Sequence, residues 1–187
     1  MGRPKALLRC GPSGDTFVTR LVRTLQAGGV TEIIVVGRPD DGPLREEVQR
    51  FCPSCSYVTN PAPERGQLSS LLAGIDAAEH AGIDGALVIP VDTPLVTPRT
   101  IAAMLDAFST SAAPIARATH ADRHGHPVIF RRDVFDDLRA ADPAIGAKAV
   151  LHSYADRVLN VDVPDPGVLR DVDEPQEYEK LFRRAPH

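Results

Sequence analysis

The chain has 187 residues, 43% of them hydrophobic and 25% charged, with a formal net charge of −4. That balance suits one globular domain large enough to bury a core, and it excludes a nonspecific nucleic-acid binder, whose surface must be basic. No apolar run is long enough to span a bilayer, and the start of the chain, with Arg3 and Lys5, has no apolar run like that of a secretory signal; a cytoplasmic location is expected. Gly2-Arg3-Pro4-Lys5 stands directly before apolar Ala6-Leu7-Leu8. Lys is a mobile cation suited to phosphate oxygens and Arg can fork onto two of them, although a solvated basic terminus has the same composition.

Phe17, Leu21, Val22 and Leu25 recur at helical spacing, which predicts a helix over 16–27 ended by Gly28-Gly29. Ile33-Ile34-Val35-Val36 reads as a buried strand closed by Gly37, and 43–51 as a charged helix with Leu44, Val48 and Phe51 on one face. Cys52-Pro53-Ser54-Cys55 has the spacing of a redox pair or a zinc knuckle, but Cys10 is the only other thiol and Tyr57-Val58 reads as a strand, not a helix start. Three cysteines make no disulfide framework, so no redox or metal function is expected of the pair.

A helix over 68–80 turns Leu71, Leu72 and Ile75 inward, and Ala86-Leu87-Val88-Ile89 is a buried strand stopped by Pro90. Further on come a helix over 98–108, strands at 114–118 and 127–130, helices over 132–140 and 145–154, a strand at 158–163, and a closing helix over 175–184. Alternation of this kind predicts an α/β fold, a mostly parallel sheet with helices on both faces.

Four clusters fall where such a fold binds ligands, in addition to the basic start. Asp92, in Pro90-Val91-Asp92-Thr93-Pro94, follows a strand at the carboxyl end of the sheet, where an acid can hold a divalent metal; Asp is also a common turn residue. Glu64-Arg65-Gly66-Gln67-Leu68-Ser69-Ser70 opens a helix, where free N–H groups favour an anion or the polar edge of a base, or where a serine simply caps the turn. His124-Gly125-His126-Pro127 could bind metal or polarise a substrate, or be a loop entering a strand. In Asp171-Val172-Asp173-Glu174-Pro175, two carboxylates two residues apart can share one side of an extended segment; they would complete a metal site begun by Asp92, or cap the last helix.

Each cluster is a weak signal, but their order is specific. Pro-Lys-Ala-Leu-Leu, Gly-Gln-Leu-Ser-Ser-Leu, Pro-Val-Asp-Thr-Pro-Leu-Val, Gly-His-Pro-Val-Ile-Phe and Asp-Val-Asp-Glu-Pro-Gln-Glu-Tyr, in that sequence from Gly2 to Tyr178, resemble the molybdenum cofactor nucleotidyltransferases, and within them the cytidylyltransferase branch. The resemblance implies a single MobA-like NTP transferase domain over 1–187 with a Rossmann-like three-layer fold. It implies transfer of a nucleoside monophosphate, CMP from CTP by preference and GMP from GTP as the other option, onto a molybdopterin-type phosphate with release of pyrophosphate. Mg2+ is the implied cofactor. Lys5 matches the phosphate-binding lysine, with Arg3 beside it; Asp92 matches the metal-binding aspartate, and Asp173, or else Asp171, the second metal position. Gly66, Gln67 and Ser69 match the segment that reads base and ribose, and His126 the acceptor side. The alternative is a non-catalytic nucleotide-binding accessory protein that serves a molybdoenzyme by contact.

One departure stands out. The family begins with a strand and a glycine-rich loop, roughly Leu-Ala-Ala-Gly-x-Ser-x-Arg, before Met-Gly-x-Pro-Lys, whereas Met1-Gly2 here lies inside that motif. The domain is therefore expected to be N-terminally truncated, its first strand missing from between the strands at 33–36 and 86–89, which leaves inner edges unpaired. Two explanations are open. Met1 is an internal methionine of a longer protein, preferred because the other motifs are intact; or the chain is short and impaired, with poor stability and little activity.

Overall fold

The computed structural model describes residues 4–11, 13–79 and 82–182. Helix α1 (Phe17–Ala27) starts on a reciprocal cap, in which the Thr16 side chain accepts from the Thr19 N–H and the Thr19 side chain from the Thr16 N–H. Strand β1 (Ile34–Gly37) leads to α2 (Gly42–Phe51), capped by Asp41, and then to β2 (Ser56–Thr59). Helix α3 (Gln67–Ala78), β3 (Gly85–Val88) and α4 (Pro98–Ser109) follow, α4 with proline in its first turn. The second half holds β4 (Ile115–His120), β5 (Arg123–Arg131), α5 (Phe135–Ala140), α6 (Ala147–Ser153), β6 (Val158–Asp162) and α7 (Pro175–Phe182). The expected ends of two helices, at His80 and at residues 183–184, lie outside the described residues.

The strands form a two-stranded parallel sheet, β1-β2, and a four-stranded sheet in the order β3-β5-β4-β6. β5 runs antiparallel to both its neighbours while β6 is parallel to β4, so β3, β4 and β6 point the same way. Helices cover both faces. Val18, Val22, Leu44, Val48, Ile101 and Met104 from α1, α2 and α4 form one core. Leu68, Ile75, Phe135, Leu138 and Val150 from α3, α5 and α6 form the other. This is the three-layer α/β architecture that the alternation predicts.

Among the described residues, β1 pairs only with β2 and β3 only with β5, so each keeps one edge without a strand partner. Packing still ties the two sheets together. Val35 of β1 and Leu87 of β3 rest on the same core, and on the opposite face α3 lies against β1, with Gly74 abutting the Val36 side chain.

Two expectations change. The strands at 114–118 and 127–130 are the inner parts of a longer hairpin, turned by Ala121 and Asp122 at φ 49° and 60°. Such paired left-handed residues match the twist of a hairpin, but the sequence carries no Asn-Gly or Asp-Gly to announce them. His124, Gly125 and His126 therefore lie within β5 and not in a loop entering it. Cys52 and Cys55 are joined in a disulfide, across a turn in which the Cys55 N–H donates to the Cys52 carbonyl. Cys10 is buried, and burial pushes its thiol up to about 11, the state of an inert packing residue. Among the described residues, no helix is long and apolar enough to cross a membrane.

Candidate active site

The chain leaves β3 through Pro90 into a tight turn. The Thr93 N–H and hydroxyl both donate to the Pro90 carbonyl, and Thr93 is fully buried. Arg20 of α1 donates to the Pro94 carbonyl at 2.7 Å and holds the far side of the turn. These contacts fix the backbone of Asp92 while its side chain stays 27% exposed.

A second segment is pinned beside it. The Val172 N–H donates to the Asp92 carbonyl at 2.7 Å, and the Val172 side chain is fully buried among Leu8, Cys10, Phe17 and Tyr178. With Val172 turned in, Asp171 and Asp173 both face out, the shared side that alternation in an extended segment requires. Tyr178 of α7 anchors the run by donating to the Arg9 carbonyl at 2.5 Å and by packing on Phe17.

Lys5 closes the cluster. It sits in a one-turn helix whose Ala6 is buried, and its ammonium hydrogen-bonds Asp173 and lies 3.6 Å from Asp92. Burial by itself would lower this lysine, but the two carboxylates outweigh it and raise it above its ordinary value. Asp171 is raised as well: burial raises it, and the negative charge of Asp92 adds to the rise. His126 faces the same carboxylates. Burial lowers it despite the opposing pull of Asp171 and Asp92, so the ring is neutral at about pH 7. Its Nδ1 is buried without a hydrogen-bond partner among the described residues. Gly125 sets the position of this histidine, because a Cβ there would stand 2.0 Å from the Val168 carbonyl oxygen; only glycine lets β5 lie against the turn at 166–169.

Gly66, Gln67 and Ser69 form a separate group at the start of α3. Gly66 has φ 85° and ψ −171°, and no side chain caps the helix there. Gly66 and Gln67 are exposed. The Ser69 hydroxyl is engaged locally, donating to the Gly66 and Ala62 carbonyls. A cavity of about 240 Å³ opens beside this turn, lined by Asn60, Ala62, Arg65, Ser69 and Arg139; the Lys5 cluster does not line it. Arg3 lies outside the described residues.

Two residues that organise these groups are absent from the sequence reading. Asn60 is 1% exposed. Its amide donates to the Ser69 and Ser70 hydroxyls at 2.8 and 2.9 Å while its carbonyl accepts from the Ala62 N–H, which ties the end of β2 to the first turn of α3. Asp165 is 7% exposed and accepts from the Thr97 N–H, the Thr97 and Thr100 hydroxyls and the Gly167 N–H. Burial alone would raise this carboxyl, but the hydrogen bonds outweigh it and hold it below its usual range. Its clamp joins the start of α4, which follows the Asp92 turn, to the segment that runs on to Asp171. An Asn-Pro after a strand and an Asp-Pro before a glycine are the signals that mark these positions.

A family model described as MobA-like NTP transferase domain matches residues 1–158. No curated protein matches the chain. Among solved structures, Rv0371c from Mycobacterium tuberculosis H37Rv is 25% identical, with a TM-score of 0.81 over 98% of this chain and 91% of that one. Rv0371c in complex with manganese is 26% identical, with a TM-score of 0.70 over 98% and 94%. A nucleotidyl transferase from Methanothermobacter thermautotrophicus shares the fold at 23% identity, with a TM-score of 0.77 over 96% and 83%.

Proposed function

The chain belongs to the family of MobA-like NTP transferase domains, and from that premise we propose that it is a nucleotidyltransferase moving CMP from CTP onto the phosphate of a molybdopterin-type acceptor. The observation that carries the reading is the meeting of one ammonium, Lys5, with the carboxylates of Asp92 and Asp173 at the carboxyl end of β3. In the reaction an acceptor phosphate oxygen attacks the α-phosphorus, the bond to the β-phosphate oxygen breaks, and pyrophosphate leaves with the electron pair. Negative charge grows on the α-phosphoryl oxygens and on the leaving group, so the site must hold positive charge at both.

The donor set suits a hard divalent cation, because Asp92, Asp171 and Asp173 offer carboxylate oxygens and a cationic side chain already rests between two of them. Among the described residues no three acidic, histidine or cysteine side chains are gathered round one point as a metal cage. That fits a cation of the Mg2+ type, which is held by one or two carboxylates and completed by substrate phosphates. Bound there, it would neutralise the α-phosphoryl oxygens. Asp92 and Asp173 are its ligands in this reading, with Asp171 beside them, and the manganese complex of Rv0371c supports the choice of a divalent ion. Lys5, with Arg3, serves the triphosphate and the leaving pyrophosphate. His126, neutral by burial, offers the acceptor side a hydrogen bond without a competing charge.

Gly66 and Gln67 read the base and ribose in this proposal. Gly66 lets a ligand approach the main chain, and the Gln67 amide presents both a donor and an acceptor. Such a site discriminates mainly because the wrong base leaves its polar groups unpaired. Pyrophosphate release with each of the four triphosphates, alone and in competition, with molybdopterin as acceptor, tests the reading. CTP is expected to dominate. A clear preference for GTP would make the protein a guanylyltransferase, and nucleotide binding with no release from any of the four would favour the accessory role.

A further inference from the structure

We propose that Lys5 and the divalent cation compete for the same seat, so that Lys5 is an internal counter-ion which a metal–triphosphate complex displaces and then takes up as a phosphate ligand. The inference rests on the reading of Asp92 and Asp173 as metal ligands and adds a sequence of events to it. The Lys5 ammonium is bonded to Asp173 and 3.6 Å from Asp92, the two carboxylates whose oxygens a cation would need. The backbones that carry both carboxylates are held. Asp92 is fixed through its turn, and the Val172 N–H ties the Asp173 segment to the Asp92 carbonyl. Lys5 is held at its base by the Leu8 N–H on its carbonyl and by buried Ala6 and Leu8. Its side chain is 35% exposed, so the free end can swing out while the base stays.

The charges give the exchange a direction. Asp92, Asp171 and Asp173 stand round a single ammonium, so carboxylates outnumber cations in the cluster. A divalent cation would offset that excess, but alone it must break the lysine contacts and leave the ammonium in water with no new partner. A cation arriving with a triphosphate offers the displaced ammonium phosphate oxygens in exchange. Metal alone should therefore bind weakly, and metal with triphosphate should bind cooperatively through this one side chain.

The test is a titration of the whole chain with Mn2+ alone, reading the free-ion signal by electron paramagnetic resonance. Lys5→Gln should bind Mn2+ about fivefold or more tighter than the native chain, the scale of losing partly exposed ion pairs. Lys5→Met should behave likewise and Lys5→Arg should not, and circular dichroism melts confirm that each variant is folded. The gain should vanish in Lys5→Gln/Asp92→Asn. With CTP present the order should reverse, Lys5→Gln binding the Mn2+–nucleotide complex more weakly than the native chain. Equal or weaker Mn2+ binding by both neutral variants, with Asp92→Asn still abolishing it, overturns the exchange and leaves the metal site standing. Mn2+ binding that Asp92→Asn does not change overturns the exchange together with the metal assignment.

Discussion

The carboxylate cluster beyond β3 and the first turn of α3 carry the two groups of candidate residues, and they are built on different principles. Around Asp92 the chain is tied from several sides: Thr93 donates twice to Pro90, Val172 donates to Asp92, and Asp165 gathers four donors behind them. Three carboxylates repel one another, and Asp171 is raised first by its burial and then by the negative charge of Asp92. Only a backbone anchored from several sides keeps them together. The start of α3 is the opposite case. One buried side chain, Asn60, holds it from behind, while Gly66 and Gln67 stand exposed and uncapped in front. Charge has to be placed and held, whereas a surface that reads a ligand has to keep donors and acceptors available. The first region should thus respond to loss of charge in turnover, and the second to loss of shape in nucleotide affinity.

The largest expected effect is at Asp92. Asp92→Asn preserves the shape and the main-chain carbonyl that Val172 uses, but removes the charge, and pyrophosphate release should fall at least ~100-fold, as for loss of a major electrostatic contact in group transfer. The melting temperature should hardly move, because the side chain is partly exposed and supports no buried group. Near-normal turnover at ordinary Mg2+ concentrations would remove Asp92 from the site. Asp165 is the reverse test within the same region, a residue that matters by holding. Asp165→Ala should cost about 2–3 kcal/mol, since it strands donors that now reach a buried charge. The sign with pH follows from its lowered carboxyl: the stability it contributes is complete above the unfolded-state value near pH 4 and is lost as pH falls through the lower folded value. Urea melts of the native chain and Asp165→Ala should differ by a constant amount above about pH 5 and converge in stronger acid. A difference that persists unchanged into acid would mean that the hydrogen bonds do not depend on the charge.

Sequence reading reached these two regions unequally, for physical reasons. Asp92, Asp171 and Asp173 stand in short local patterns, an acid after an apolar strand and two acids flanking a valine, and alternation predicts the shared side of the second pair. The clamp behind them is nonlocal. Asp165 meets Thr97 and Thr100 sixty-five or more positions away in sequence, and no window of residues encodes that meeting. Asn60 is nearer its partners but lies past the end of a short strand, where Asn before Pro reads as an ordinary turn. The direction of β5 was hidden for a similar reason. Its hairpin turns on Ala121 and Asp122, held left-handed by the ladder on either side and not by their own preference. Gly66 shows the converse, since a glycine before an amphipathic run announces both a helix start and a special backbone position, and both are present.

Asn60→Ala tests the second region from behind. The amide makes three hydrogen bonds at a site 1% exposed, and its loss leaves the Ala62 N–H without that acceptor. A cost of about 1–2 kcal/mol in denaturant melts is expected. The more telling readout is kinetic: KM for the nucleotide should rise several-fold while kcat changes little, the pattern of lost uniform binding. A fall in kcat with KM unchanged would place Asn60 with the charged region and break the contrast between the two.

Gly66 gives the smallest and sharpest test. At φ 85° and ψ −171° it is not in the left-handed helical region that Asn tolerates, but in the extended region of positive φ that is open essentially to glycine alone. A Cβ at Gly66 meets nothing within 4 Å, so the cost of a side chain there is conformational and not a clash. Gly66→Ala should therefore lose about 1 kcal/mol or somewhat more. Gly66→Asn should lose as much, because the asparagine preference is for ψ near +47° and not for an extended ψ. In both variants KM for the nucleotide should rise, since the uncapped N–H groups of the first turn would be re-aimed, while single-turnover rates at saturating nucleotide stay close to native. Recovery by Asn but not Ala would show that the turn relaxes into the left-handed helical conformation. In that case the exposed face of α3 would be adaptable, and its reading of the base would come from induced fit and not from a preset backbone.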